Sequence, residues 1–132
     1  MSQLYANARQ SFLVGAFNWA ADPYSALLAT SAYTPNPATD AYVSDIPPAA
    51  IIARAPLTGM VASGGVASAA NLVFSAVTGS GIYYVVIYRN TGGDSTSALI
   101  VLIDSAAGLP LFPTGSAVTL AWDTGPYKIF QL

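Results

Sequence analysis

At 132 residues the chain is expected to form one domain, large enough to bury a core without disulfide or metal staples. It is 54% hydrophobic and only 8% charged, with Arg9, Arg54, Arg89 and Lys128 scattered singly against six Asp and no Glu. This pattern excludes a basic nucleic-acid footprint, and a chain without Cys or His has no disulfide framework and none of the usual zinc, copper or thiolate chemistry.

So little charge gives a free monomer poor protection against its neighbours. Association with sister subunits, as a dimer or trimer, is therefore expected. No cofactor, direct nucleic-acid contact or membrane contact is expected.

The first predicted element is a helix over about residues 3–14. Leu4, Tyr5, Ala8 and Phe12 recur there at helical spacing, with Ser2 placed to cap the start and Gly15 to end it. The same stretch lacks a basic start followed by a clean apolar core, so a mature protein made in the cytoplasm is expected. The apolar runs further along are strand length, short of the about 18 residues of a membrane helix.

Residues 24–30, YSALLAT, read as a strand. Residues 31–49, SAYTPNPATDAYVSDIPPA, read as a long loop whose Pro35, Pro37, Pro47 and Pro48 cannot donate to a ladder. Structureless connections of this length are usually functional, so the segment is expected to act as a contact arm. Tyr33, Pro35, Pro37 and Tyr42 are its candidate protein-contact residues, with both tyrosines exposed as anchors.

Short strands are expected at about 50–54, 57–62, 71–78, 82–89, 97–104, 116–122 and 127–131, separated by turn residues. The resulting class is all-β: an antiparallel β-sandwich or jelly roll of about eight strands with a short N-terminal helix. VTLAW is an ordinary half-buried strand, with Val118, Leu120 and Trp122 on one face.

Two runs break that alternation. Ile82 to Tyr88 and Ala98 to Ile103 are apolar on both faces, and RNTGGDST between them reads as a hairpin tip in which Gly92 and Gly93 take positive φ. The second face is covered either by the chain's own helix and long loop or by another chain, since the outer face of an antiparallel sheet is usually wet. Val85 and Val101 are accordingly candidate contact positions as well as candidate core.

Signals for chemistry are sparse. Asp123-Thr124-Gly125 matches the core triplet of aspartic proteases, but seven residues follow Gly125 and a second carboxylate motif is not visible; a turn between closing strands is the better reading. Asp104 follows a strand, where a carboxylate commonly caps its own turn. Asp40, Asp45, Asp94 and Asp104 have no metal-ligand spacing signature. The eight Tyr, five Phe and two Trp include enough rings for a carbohydrate platform, but most lie in strand patterns, where core packing is the default. No catalytic, cofactor or metal residue is assigned, and the chain is expected not to be an enzyme.

YANARQSFLVGAFNW at 5–19, YTPN at 33–36, SDIPPAAIIAR at 44–54, LTG at 57–59, VFSAVTGSGIYYVVIYRNTG at 73–92 and SALIVLIDSAAGLPLFPTGSAVTLAWDTGPYKIFQL at 97–132 together resemble a family of small virion structural proteins of tailed bacteriophages. The most specific parts are the GLP turn, the Trp-Asp-x-Gly turn and the Ile-Phe-x-Leu terminus. FPTGSA at 112–117 and DTGP at 123–126 depart from the family's Asn-Gly turns. The resemblance implies a non-enzymatic virion component. Its leading form is a capsid decoration, or cement, protein of the head, with the phage major capsid protein as partner and the host bacterial cytoplasm as site of synthesis. Tail or head-fibre attachment, or a carbohydrate-binding module on the virion, are the alternatives.

Overall fold

The computed structural model describes residues 2–74, 77–79, 81–103, 112–120 and 129–131. The expectations for Asp104, Trp122 and the turn at Asp123 lie outside these residues. The described part is mostly β, in antiparallel sheets, with one short α-helix.

Strand β1 (Ser2–Leu4) comes first and pairs with β8 (Leu99–Ile103). Helix α1 (Ala6–Leu13) follows, so the expected helix is shorter at its start and Ser2 is not its cap. Tyr5 is the N-cap, in extended conformation, and its N–H continues the ladder to the Ile100 carbonyl. The chain thus stays extended through residue 5, with Tyr5 closing the β1–β8 ladder and its side chain fully buried. Ala8 is buried and Phe12 is half-buried on the inward face, as the spacing predicts. Gly15 ends the segment at φ +78°.

The main sheet runs β1-β8-β7-β2-β3, with β2 at Tyr24–Ala29, β3 at Ile51–Pro56 and β7 at Tyr84–Arg89. The two apolar runs are neighbours, as expected: Val85 faces Ile103, Val86 faces Leu102 and Ile87 faces Val101. Gly92 takes φ +93° in the connection between them, while Gly93 stays outside the left-handed region.

Directly opposed residues share a face, so the register sorts the covering layers. Leu27, Ala29, Val86, Tyr84 and Tyr88 point to one side. There the Tyr33 ring meets Tyr84 edge to face at 5.8 Å and the Ala6 N–H bonds the Pro37 carbonyl; beside the sheet, residues 41–43 run along the start of β8, where the Leu99 and Val43 N–H groups bond the carbonyls of Ala41 and Ser97. Tyr24, Ala26, Leu28, Val85 and Ile87 point to the other side, where Trp19 packs on Tyr24 at 4.7 Å and reaches the Ser68 carbonyl with its indole N–H.

The chain's own helix start and Pro-rich segment therefore cover the second face of the central strands. Burying a row of Val, Ile and Leu on both faces removes apolar area from water at about 25 cal/mol per Å². That gain is what ties residues 31–50 down.

Two smaller sheets complete the fold. β4 (Val61–Ser63), β5 (Val66–Ser68) and β10 (Phe130–Gln131) form one in the order β10-β5-β4; β6 (Leu72–Phe74) and β9 (Val118–Leu120) form the other. The strand expected at 57–62 is thus displaced. Gly64 at φ +59° and Gly65 at φ +78° make a two-residue turn that folds β4 onto β5. Positive φ at both central residues is the type I′ pattern, whose twist matches that of the strands.

Candidate functional site

The Pro-rich segment is the element singled out for contact, and it is built from the backbone upward. Short 3-10 turns at Val43–Asp45 and Pro48–Ala50 fold it back on itself. The Asp45 carboxylate accepts the N–H groups of Ala41 and Tyr42 at 2.8 and 3.0 Å, which holds its carboxyl below the usual range. Asp40 accepts the Asn36 N–H at 2.9 Å and the Tyr33 hydroxyl at 2.8 Å.

Tyr33 corrects the expectation of an exposed anchor. It is 2% exposed, and its hydroxyl lies 2.8 Å from that of Tyr5, itself fully buried. Because the Tyr33 proton goes to Asp40, Tyr5 is the donor to Tyr33, giving a directed chain from Tyr5 to Tyr33 to Asp40. Burial pushes both phenols well above their ordinary range.

Tyr42 does project, at 40% exposure, while its backbone makes a β-bridge to Ala98. Pro35 and Pro37 are half-buried. Val85 and Val101, at 1% and 0% exposure, are taken up by the core of the same chain and offer no surface to a partner. The structure therefore brings Tyr33 and Pro37 together with Tyr5 and leaves Tyr42 outside on its own.

Two ion pairs fix the flanks of this region. Arg54 on the edge strand β3 holds Asp94 in a bidentate pair at 2.7 and 2.9 Å, and its guanidinium lies 5.9 Å from the Tyr88 ring centre. Arg89 holds Asp22 at 3.0 Å and lies 5.3 Å from the Phe17 ring. The Asn18 N–H, then the Arg89 partner, hold the Asp22 carboxyl low; Arg54 does the same for Asp94. The Arg54 pair is about 40% exposed on both sides, so it contributes only about 0–1 kcal/mol.

Asp22, Asp40, Asp45 and Asp94 thus each serve a turn or an ion pair. Among the described residues no group of acidic side chains is placed to hold a metal ion. Of the aromatic rings weighed as a carbohydrate platform, Trp19, Tyr24 and Tyr33 are buried in the core, while Tyr42 and Phe112 are exposed. A shallow cleft of about 310 Å³ is lined by Phe112, Pro113, Thr114, Ser116 and Val118, all from one segment.

Among the described residues, several large apolar side chains protrude. Leu13 is 78% exposed, Val14 66%, Phe112 65%, Val73 54% and Val61 52%. Sequence reasoning passed over Leu13, Val14, Val61 and Val73 because each falls within an expected helix or strand, and over Phe112 because it falls in a Pro-flanked stretch assigned to neither. No family model matches the chain, and neither does any curated protein.

Proposed function

We propose that the protein is a structural component of a tailed-phage virion, most specifically a decoration protein that stabilises the head by binding between major capsid subunits. Sister subunits are its other partners, as a dimer or trimer, and the head is its location. We read its antiparallel sheets as the layers of a β-sandwich, the main sheet facing the smaller ones.

The observation that carries this reading is the division of labour among side chains. The described aspartates serve local turns and ion pairs, while large apolar side chains stand out from a nearly neutral surface. Such a surface works through buried area and shape, as stable interfaces do. Contact, and not group transfer, is the chemistry it supports. The resemblance to small phage virion proteins points the same way.

The test is addition of purified protein to heads assembled without it, followed by density mapping. Density at the junctions between capsid subunits, with raised resistance of the heads to heat or chelators, is the expected result. Density on the tail would replace the decoration role by an attachment role, and no binding to any virion part would overturn the reading.

A further inference from the structure

Strand β4 is exposed at all three of its residues, Val61, Ala62 and Ser63, and it lies at the end of the β10-β5-β4 sheet. Its hydrogen-bonding pattern can be derived. In a two-residue type I′ hairpin the residues flanking the turn, here Ser63 and Val66, exchange backbone hydrogen bonds. The next pair, Ala62 and Ala67, then does not, because bonded and non-bonded pairs alternate along an antiparallel ladder. The Ala67 carbonyl agrees: it turns away from β4 and accepts the Ile129 N–H at 3.1 Å. Ala62 therefore directs its own N–H and C=O outward from the sheet.

Natural edge strands are commonly guarded by charge or proline. The edge strand β3 of the main sheet has both, Arg54 and Pro56. β4 has neither, and no charged residue occurs anywhere between Arg54 and Arg89. An outward strand with no charge of either sign meets no like-charge repulsion when it approaches an identical copy. Antiparallel pairing about a twofold axis is also self-complementary, since the N–H and C=O of the residue on the axis meet the C=O and N–H of the same residue in the other copy.

We propose that β4 is the surface through which two copies of this chain associate, edge to edge and antiparallel, with Ala62 opposite Ala62 and the two β10-β5-β4 sheets joined into one. This rests on the sister-subunit part of the proposed function and names the surface that serves it. The Gly64-Gly65 turn supplies the specificity: it sets the twist and register of the strand that is presented. Val61, 52% exposed, adds an apolar side chain beside the axis.

A single cysteine reads this geometry directly, because the chain has no other. Opposed residues of paired antiparallel strands sit about 4.5–5.5 Å apart, within the range a disulfide spans. Under mild oxidation Ala62→Cys is expected to form a covalent dimer at least about tenfold faster than Ser44→Cys, an exposed control on the Pro-rich segment, because association raises the effective thiol concentration. Ala62→Lys, on an exposed position, is expected to keep the circular dichroism of the fold while weakening association several-fold at low salt, with recovery at high salt as the opposed charges are screened. Equal cross-linking of the two cysteines, or unchanged association of the lysine variant, would overturn β4 as the interface. Neither result touches the virion reading, which is scored on particles.

Discussion

The hydroxyl of Tyr5 donates to that of Tyr33 across 2.8 Å, joining residues 28 positions apart at the point where the N-terminal segment, the Pro-rich segment and the main sheet meet. Tyr33 then donates to Asp40. The Tyr5 hydroxyl has its acceptor only while the N-terminal and Pro-rich segments are docked together, so the pair acts as a clasp on the second face of the sheet.

Tyr33→Phe leaves the buried Tyr5 donor without its acceptor and should cost about 1–3 kcal/mol. Tyr5→Phe removes a donor but leaves the bond from Tyr33 to Asp40, and should cost about 1 kcal/mol, in the range of one hydrogen bond. Urea denaturation of both variants and of the double variant tests this. Costs that simply add would show that the hydroxyls are not coupled.

Removing residues 34–45 should abolish stable folding. The deletion takes away Val43, 1% exposed, the Asp40 acceptor, and the backbone partners of Leu99 and Ser97. A folded, soluble deletion variant, judged by near-ultraviolet circular dichroism, would contradict the clasp and restore the picture of a free arm.

Val85→Asp and Val101→Asp should unfold the subunit outright, because a carboxylate placed at either position is buried without a partner. Tyr42→Ala, at an exposed position, should leave thermal stability within about 0.5 kcal/mol of the parent. Under the proposed decoration role, its attachment to heads should weaken.

Stability should fall at both ends of the pH scale. Asp22, Asp45 and Asp94 have carboxyls lowered from an ordinary value of 3.8, so their contribution is full above that value and is lost as pH drops through the lowered ones. Tyr5, Tyr24 and Tyr33 have phenols raised by burial from an ordinary value of 10.0. Their contribution is full below 10.0 and declines above it, as the unfolded chain ionises first. Ultraviolet absorbance of tyrosinate should therefore show these three ionising only together with unfolding. Reversible ionisation of all eight tyrosines in the folded protein would contradict their burial.

Local pattern was enough for the elements whose neighbours are near in sequence. YVVIYR and LIVLI are strands because their apolar, largely β-branched or aromatic runs are bounded by turn residues, and their pairing follows from the short connection between them; YSALLA has only Tyr24 of those residue types and reads as a strand from its short apolar run between turn signals. Ala8 and Phe12 turned inward because helical spacing leaves them no other side. The Gly64-Gly65 turn was legible in principle as two glycines between short apolar runs, but it fell within a stretch so poor in large side chains that its period was indistinct. What composition and spacing could not decide was whether the second face of an apolar strand belongs to the same chain or to another. Both coverings remove the same area from water, and residues 31–50 carry the prolines of a loop whichever way they lie. Only the tertiary structure places the Tyr33 hydroxyl beside Tyr5 and its ring on Tyr84. That contact depends on residues far apart in the chain, and a one-dimensional pattern does not record where distant segments meet.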